Sequence, residues 1–413
     1  MRRSWLLLVV PAVALAASCI PPPEQPPTTT TSTSVATTTT TVVTSNEATA
    51  VSAGGGHACA VLSDGGVSCW GWNAFGQLGS TTNSGSGFGN TTPNPVPDRV
   101  DGIDGVIAVT AGEFHTCALL DDGTVWCWGV NAYGQLGTET NLATLAVNPT
   151  PIQVLGIGPA TAVAAGENHT CALVEDDGVW CWGLNLYRQL GHETNAVTFN
   201  PNPIPTQVGG TLDAVSLSLG SGHSCIVTNT SEMKCWGLNR DGQLGNPAGL
   251  GTFVTSSTPL AVTGMTHAAV SEGGGFRHCA VLSDATVSCW GHGYFGDSPD
   301  AVPDPVDGLA DVVSLSGGLL HTCGVVSAGK VLCLGVNGFG ELGNTGPGTF
   351  TPTIVGGIDD AVTVSAGTQF TCALHAGGAI SCWGHNSLGQ LGNLTNVGTE
   401  TPNPSPLPVI GFP

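Results

Sequence analysis

Fourteen of the fifteen cysteines in this 413-residue sequence fall into seven pairs, and the two members of every pair are ten residues apart. The pairs are Cys59 with Cys69, Cys117 with Cys127, Cys171 with Cys181, Cys225 with Cys235, Cys279 with Cys289, Cys323 with Cys333, and Cys372 with Cys382. Self-similarity at a regular spacing is typical of a chain built from repeated supersecondary units. The sequence therefore predicts seven equivalent units.

Other residues recur at fixed distances from the cysteines. A glycine stands five residues before the first cysteine of each pair, at Gly54, Gly112, Gly166, Gly220, Gly274, Gly318 and Gly367. A Pro-x-x-Val unit precedes six of the pairs, and a seventh, Pro406 to Val409, has no cysteine after it. We expect the N-terminal and C-terminal segments to pair and close a ring, since closure removes free sheet edges that promote aggregation.

Each unit reads as a β-hairpin. Apolar residues come in short groups separated by Gly, Pro, Asn and Asp, and no convincing helical period appears after residue 48, so an all-β fold is predicted. In a hairpin centred on Asp64, Cys59 lies opposite Cys69, close enough for a disulfide. We expect seven such bridges, one per unit, and hence an oxidising compartment. Zinc binding would favour Cys-x2-Cys spacing, which does not occur.

The segment from Gly54 to Gly79, GGGHACAVLSDGGVSCWGWNAFGQLG, resembles the regulator-of-chromosome-condensation repeat. The resemblance implies a seven-bladed β-propeller spanning residues 48 to 413. Within it, Asn-x-x-Gly-Gln-Leu-Gly recurs from Asn73, Asn131, Asn239 and Asn386, with Arg188 and Glu341 as departures in the third and sixth copies. The fifth copy lacks the motif and should form a trimmed blade, and Leu334 replaces the usual tryptophan in the sixth.

The N-terminus resembles an export signal. Arg2 and Arg3 precede an apolar run that ends in small residues before Cys19, so residues 1–19 are predicted to be a signal peptide. Cys19 is the expected lipidation site of a surface lipoprotein; ordinary cleavage and secretion is the alternative. Residues 20–47 are rich in Pro and Thr and are predicted to be a disordered stalk before the propeller. Membrane contact is expected only through the lipid.

The formal net charge of −21 opposes binding to phosphate backbones, so nucleic acid is not an expected partner. Simple solubility explains this charge, although basic proteins and cations fit it as well. The sequence has no His-Glu-x-x-His, Gly-x-Ser-x-Gly or phosphate-binding Gly-x4-Gly-Lys-Ser/Thr motif. We therefore expect no catalytic residues, no metal site, no cofactor and no enzymatic activity.

Two further sets of residues recur in register. A histidine lies two residues before the first cysteine at His57, His115, His169, His223 and His321, while Arg277 and Phe370 replace it elsewhere. A ring of histidines is a conceivable metal site, but hydrogen bonding in the blade is the favoured interpretation. Tryptophans at Trp70, Trp128, Trp182, Trp236, Trp290 and Trp383 are predicted to pack in the core. Trp72, Trp126 and Trp180 are less constrained, with packing favoured over partner contact.

Unit length varies in one segment, between the second cysteine and the next Pro-x-x-Val, from the long stretch Cys69 to Val100 to the short one Cys289 to Val306. Equivalent propeller segments emerge on one side, so these loops are predicted to form one binding face. The candidate binding residues on it are Phe88, Leu142, Leu145, Phe199, Leu250, Phe253 and Phe350. They suit an extracellular protein or glycan bound by a monomeric scaffold; merely solvated loops are the alternative.

The resemblance also implies functions that are known in the family. The founding member of the family exchanges guanine nucleotide on a small GTPase in association with chromatin, whereas other relatives resemble secreted bacterial protein inhibitors. Fold alone does not carry function. A binding scaffold is the favoured prediction, with a nucleotide-exchange factor and a polysaccharide-acting enzyme as the alternatives.

Overall fold

The computed structural model describes residues 46–85, 87–248, 250–251, 255–292 and 300–413. Their strands form seven four-stranded antiparallel sheets, each built from one contiguous segment with its strands in chain order. The sheets are the blades of a seven-bladed β-propeller, as the sequence predicts. The described residues contain no helix long and apolar enough to cross a membrane. Cys19, the predicted signal and most of the predicted stalk lie outside the described residues.

The strands of the seven blades have the following bounds. Blade 1 contains β1 (Ala48–Ala53), β2 (His57–Leu62), β3 (Val67–Gly71) and β4 (Asn94–Arg99). Blade 2 contains β5 (Val106–Ala111), β6 (His115–Leu120), β7 (Val125–Gly129) and β8 (Ile152–Gln153). Blade 3 contains β9 (Ala160–Ala165), β10 (His169–Val174), β11 (Gly178–Gly183) and β12 (Asn202–Gln207). Blade 4 contains β13 (Ala214–Leu219), β14 (His223–Thr228), β15 (Met233–Leu238) and β16 (Thr255–Ala261).

The remaining blades repeat the pattern. Blade 5 contains β17 (Ala268–Gly273), β18 (Arg277–Leu282), β19 (Val287–Gly291) and β20 (Asp300–Pro305). Blade 6 contains β21 (Val312–Gly317), β22 (His321–Val326), β23 (Val331–Gly335) and β24 (Thr349–Ile354). Blade 7 contains β25 (Ala361–Ala366), β26 (Phe370–His375), β27 (Ile380–Gly384) and β28 (Asn403–Pro408). A 3-10 turn, Gly87–Gly89, lies in the long loop of blade 1.

One disulfide bridges the second and third strands of each blade. In blade 1, Cys59 and Cys69 are directly opposite in the hairpin and bonded, as the spacing predicts, and Val61 faces Val67. The six bridges of the other blades join the predicted partners: Cys117 and Cys127, Cys171 and Cys181, Cys225 and Cys235, Cys279 and Cys289, Cys323 and Cys333, and Cys372 and Cys382. Every one of these cysteines is buried. Seven buried disulfides point to an oxidising, exported environment.

The two ends of the chain close the ring as two separate neighbouring blades and do not contribute strands to one common sheet. Among the described residues, no sheet combines strands from both ends. The unit that starts at Ala48 already contains four strands, and the last Pro-x-x-Val unit ends the fourth strand of blade 7, so no strand is left to exchange. The two ends pair as complete neighbouring blades: the Ala48 amide donates to Gly378, and the Asn46 side chain donates to the Gly411 carbonyl.

The core lies between neighbouring blades. The six predicted core tryptophans are fully buried, and each packs with residues of the preceding blade. The inner strands are also joined by hydroxyl groups: the Ala111 amide donates to Ser52, and the Ala53 amide donates to Ser365 across the closure. Since these bonds are buried, they fix the blades into one rigid ring.

The alternation of strands decides which loops share a face. In an antiparallel blade, the turn between the first and second strands and the loop between the third and fourth emerge together. The variable loops therefore lie beside the glycine turns that begin at Gly54 and its equivalents, at the rim of the central channel. We call this side of the ring the variable-loop face.

Candidate functional site

The repeated histidines join neighbouring blades. Nε2 of His57 lies 2.9 Å from the Thr116 hydroxyl of the next blade, and the same contact joins His115 to Thr170 at 2.9 Å. The further pairs are His169 with Ser224, His223 with His278, and His321 with Thr371. Burial lowers the pKa of His57 and His115 to about 3, so both are neutral at ordinary pH. These imidazoles hydrogen-bond, as favoured from the sequence, but to the neighbouring blade and not within their own.

One group of potential metal ligands occurs among the described residues: His223, Cys225 and His278. The sulfur of Cys225 is bonded to Cys235, and Nε2 of His223 lies 3.0 Å from Nδ1 of His278. A disulfide sulfur is no thiolate ligand. The group is therefore explained by packing between blades 4 and 5.

The predicted binding residues are spread over the variable-loop face. Phe88, Leu145, Phe199, Leu250 and Phe350 are exposed, and Leu142 is half-buried. Phe253 lies outside the described residues. Phe88 and Leu145 line a common pocket, and Phe199 lies against Tyr133 of that pocket, with ring centroids 6.3 Å apart. Leu142, Leu250 and Phe350 do not line it.

This pocket, which we call the rim pocket, has a volume of about 540 Å³. It is formed by blades 1, 2, 3 and 7 on the variable-loop face. The residues that line it are Gly55, Gly56, Trp72, Phe88, Glu113, Phe114, Val130, Ala132, Tyr133, Leu145, Glu167, Asn168, Thr368 and Leu388. An apolar concavity with few polar groups is the usual form of a ligand site.

Three aromatic side chains, Trp72, Phe88 and Phe114, form one wall of the rim pocket, and a fourth packs behind them. The rings of Trp72 and Phe114 are 5.5 Å apart and nearly perpendicular, and Phe88 stands edge-on to Phe114 at 5.4 Å. Phe75, fully buried, supports all three from below. Trp72 is itself 9% exposed, whereas Phe88 is 60% exposed. Packing of Phe88 on a rigid base holds an apolar ring in contact with solvent.

Two carboxyl groups also line the pocket. Glu113 and Glu167 occupy the same position in the glycine turns of blades 2 and 3, directly after Gly112 and Gly166. The amide of Glu113 donates to the Glu167 carbonyl at 3.4 Å, and their side chains hydrogen-bond to each other. Blade 1 has Gly55 at this position, where a Cβ would lie 3.0 Å from Cγ of Glu113. A side chain at this position would collide with Glu113, so the glycine allows blades 1 and 2 to pack closely here.

Burial is the main reason that these carboxyls are hard to ionise. It raises the pKa of Glu113 to about 8, and it raises the pKa of Glu167 well above the usual range, where the charge of Glu113 adds to the effect. A hydrogen bond between two carboxyl groups requires a proton on one of them. The pair therefore holds at least one proton at neutral pH.

Of the predicted binding residues, only Phe88 and Leu145 line the pocket, and the sequence prediction misses its other aromatic residues and both of its acids. Phe88 and Leu145 stand out because they interrupt polar loops. Glu113 and Glu167 lie in turns that the sequence marks chiefly by invariant glycines. The usable signal is that only these two of the seven turns carry an acid after the glycine.

The less constrained tryptophans divide between the pocket and the blades. Trp72 lines the rim pocket. Trp126 and Trp180 are half-buried outside it, and each indole N–H donates within its own hairpin, to Thr124 and Asp177 respectively. Packing, the favoured interpretation, therefore accounts for Trp126 and Trp180.

A second concavity, of about 450 Å³, lies at the opposite mouth of the central channel. Its rim carries exposed Ile107, Val313 and Val362, one from each of three inner strands. It has no aromatic lining among the described residues. Of the two concavities, the rim pocket is therefore the one that offers aromatic side chains to a ligand.

The RCC1-like domain model matches residues 23–298, and the regulator of chromosome condensation (RCC1) repeat matches residues 361–390. The chain belongs to the RCC1-like domain family. Among the relatives of this RCC1-like protein, the ultraviolet-B receptor UVR8 of Arabidopsis thaliana is 30% identical over 250 residues, which are 60% of this chain and 53% of UVR8. Human E3 ubiquitin-protein ligase HERC2 is 30% identical over 48% of this chain and 4% of its own length. The match thus spans about half of one relative and a small part of the other.

Solved structures share the fold of the RCC1-like protein. One is a chain in the crystal structure of Kap60 bound to yeast RCC1 (Prp20), with a TM-score of 0.70, 18% identity, and coverage of 94% of this chain and 91% of that chain. Another is human WBSCR16, with a TM-score of 0.69, 22% identity, and coverage of 82% and 92%. At these identities the likeness shows the fold alone.

Proposed function

We propose that this RCC1-like propeller is a non-enzymatic binding scaffold that holds a protein partner on its variable-loop face. The observation that carries the proposal is the rim pocket: aromatic and acidic groups from blades 1, 2 and 3 line it on the face where all variation in loop length lies. Loops on a rigid frame are where binding residues concentrate. Exposed aromatic residues at the edge of a pocket are typical anchors of protein interfaces.

The relatives agree with a protein as the partner. One solved structure of yeast Prp20p is described together with its binding to Gsp1p and histones, and another contains Kap60. Those partners belong to those proteins. A glycan remains the other class of ligand that aromatic loops suit, and guanine-nucleotide exchange and polysaccharide turnover have no specific observation in their favour.

The proposed place of action is outside the cell. Residues 1–19 have the pattern of a signal, Cys19 that of an acylated cysteine, and residues 20–47 that of a spacer before a folded unit at residues 48–413. The seven disulfides support an oxidising environment. The scaffold then acts as a lipid-anchored monomer at the surface. Mass spectrometry of the mature N-terminal peptide tests the anchor: a diacylated Cys19 supports it, and an unmodified terminus after cleavage contradicts it.

The proposed binding face is tested with two matched pairs of substitutions. Phe88→Asp with Phe199→Asp changes the variable-loop face, and Leu155→Asp with Leu212→Asp makes the same chemical change on the opposite face; all four side chains are exposed. Proteins captured from the native extracellular medium by the wild-type domain should be lost with the first pair and retained with the second. The reverse pattern overturns the proposal. Capture of oligosaccharides instead, on a glycan array, would identify a glycan ligand and reject the protein partner.

A further inference from the structure

The two carboxyl groups of the rim pocket have no cation of their own. Among the described residues, no lysine, arginine or histidine forms an ion pair with Glu113 or Glu167. Glu167 is only 7% exposed. Buried acids are normally paired with a positive group, because an isolated buried charge is costly. Here the position of that positive group is open to solvent through the pocket.

The walls of the pocket suit the rest of a cationic ligand. Trp72, Phe114 and Tyr133 line it together with the aliphatic side chains of Val130 and Leu145. The faces of aromatic rings attract cations. Aliphatic and aromatic surface also accommodates a methylene chain, as lysine stems do elsewhere on apolar surfaces.

From this geometry we propose that the rim pocket binds a lysine side chain of the partner protein. The ammonium group lies between the carboxyl groups of Glu113 and Glu167. The methylene stem passes along Trp72, Tyr133 and Leu145. This inference rests on the proposed function, since it supplies the contact by which the variable-loop face holds a protein.

The arrangement favours an ammonium ion over other cations. Glu113 and Glu167 both line the pocket, and a compact ammonium with three N–H donors can donate to both carboxyl groups. A quaternary ammonium has no N–H to donate. A guanidinium is a planar fork that pairs best with a single carboxylate side-on. A calcium ion takes six to eight oxygen ligands, which an aromatic wall does not provide.

Binding of the ammonium should release a proton. The carboxyl pair holds at least one proton when the pocket is empty, and a cation placed beside both carboxyl groups favours their ionised form. The pocket should therefore bind an ammonium ion more tightly as the pH rises.

Other titratable groups near the pair do not respond in the same range. Burial, with the charge of Glu167, raises the pKa of Tyr133 and Tyr187 above its usual value. Burial lowers the pKa of His115 and His169, which lie below the turns, to about 3. The charge of Arg240 opposes this increase at Tyr187. A pH dependence of binding near neutrality is thus assigned to the carboxyl pair.

The test uses the intact protein and n-butylammonium, which reproduces the lysine side chain beyond Cα. Ligand-observed NMR titrations compare it with n-butanol, butyltrimethylammonium and butylguanidinium. Butylammonium should bind at least about tenfold more tightly than butanol and more tightly than the other two cations. The association constant of butylammonium should rise by up to about tenfold per pH unit between about pH 5 and 8. Equal binding of butylammonium and butanol, or binding independent of pH, overturns the inference.

Variants locate the binding site. Glu113→Gln with Glu167→Gln should weaken butylammonium binding by about tenfold or more, while Glu139→Gln, which removes an exposed acid of the same face, should leave it unchanged. Equal weakening by both assigns the effect to overall charge and rejects the pocket. The pH series on the wild-type protein is independent of whether the double variant folds.

The inference and the proposed function fail separately. If the Phe88→Asp, Phe199→Asp pair abolishes capture but butylammonium shows no preference for the pocket, the face binds a partner without a lysine contact. If capture persists in that pair, the proposed function is wrong whatever the pocket binds.

Discussion

The indole N–H of Trp70 in the first blade donates to the backbone carbonyl of Gln390 in the last blade, at 3.0 Å. The same bond joins five other pairs of neighbouring blades. The pairs are Trp128 with Gln77, Trp182 with Gln135, Trp236 with Gln189, Trp290 with Gln243, and Trp383 with Glu341. The closure between the ends of the chain thus uses the contact that joins the other blades.

This hydrogen bond between blades explains why two repeats depart from the common pattern. The fifth repeat lacks Asn-x-x-Gly-Gln-Leu-Gly, and the sixth has Leu334 in place of tryptophan. The tryptophan of each blade donates to the motif of the preceding blade, so a tryptophan in blade 6 would have no such glutamine carbonyl to meet. Leu334 is buried without a polar group to satisfy. The two changes compensate for each other at one interface.

The first prediction concerns these indole bonds. Trp128→Phe removes the donor to Gln77 and leaves space in a fully buried site, so the free energy of unfolding should fall by about 2–4 kcal/mol. Trp126→Phe, at a half-buried tryptophan bonded within its own hairpin, should cost less than about 1 kcal/mol. Guanidinium denaturation measures both. Equal losses of unfolding free energy in the two variants would show that the hydrogen bond between blades contributes no more to stability than the bond within the hairpin.

The second prediction concerns the disulfides. Replacing Cys117 and Cys127 together by alanine should lower the free energy of unfolding by about 3 kcal/mol, because a short loop of the unfolded chain is no longer closed. The native protein should also resist thiol alkylation in the presence of a reductant until denaturant is added, since the sulfur atoms are buried. Rapid alkylation without denaturant would contradict this structure of the blades.

The repeat allows the fold, the disulfide pairs and the variable-loop face to be predicted, because every strand and turn recurs at a fixed distance from a cysteine. The acidic half of the rim pocket is not predictable in the same way. Glu113 and Glu167 come from different blades, and their contact depends on how those blades are rotated about the channel axis. The pocket also depends on Gly55, whose missing side chain matters only once blades 1 and 2 lie side by side. Sequence spacing describes one blade at a time and does not describe these contacts between blades.

The third prediction concerns acid. Burial depresses the pKa of His115 to about 3, so the folded state binds fewer protons than the unfolded state between that value and about 6.5. The stability that His115 contributes is present above about pH 6.5 and is lost as the pH falls toward the folded-state pKa. Denaturation at several pH values should therefore show a shallower acid dependence in His115→Asn than in the wild-type protein. His267→Asn, at an exposed histidine, is the control and should keep the wild-type slope.

The fourth prediction concerns alkaline pH: here the stability should fall as the pH rises. The pKa of Glu113 is raised to about 8, so the contribution of the protonated carboxyl is complete below the unfolded value and is lost as the pH rises through about 8. The melting temperature of the wild-type protein should fall from about pH 6 to about pH 9 by more than that of the double variant Glu113→Gln, Glu167→Gln. The control is Glu139→Gln with Glu175→Gln, two exposed acids. A decline in the pocket variant as large as in this control would contradict the raised pKa.

The fifth and most direct measurement tests whether the variable-loop face meets a partner in place. A photo-crosslinking phenylalanine analogue at Phe88, an exposed aromatic position of the rim pocket, is compared with the same analogue at Leu155 on the opposite face, in protein displayed by intact cells. The account predicts a discrete protein adduct from position 88 and none from position 155. No adduct from position 88, or the same adduct from both positions, would contradict it.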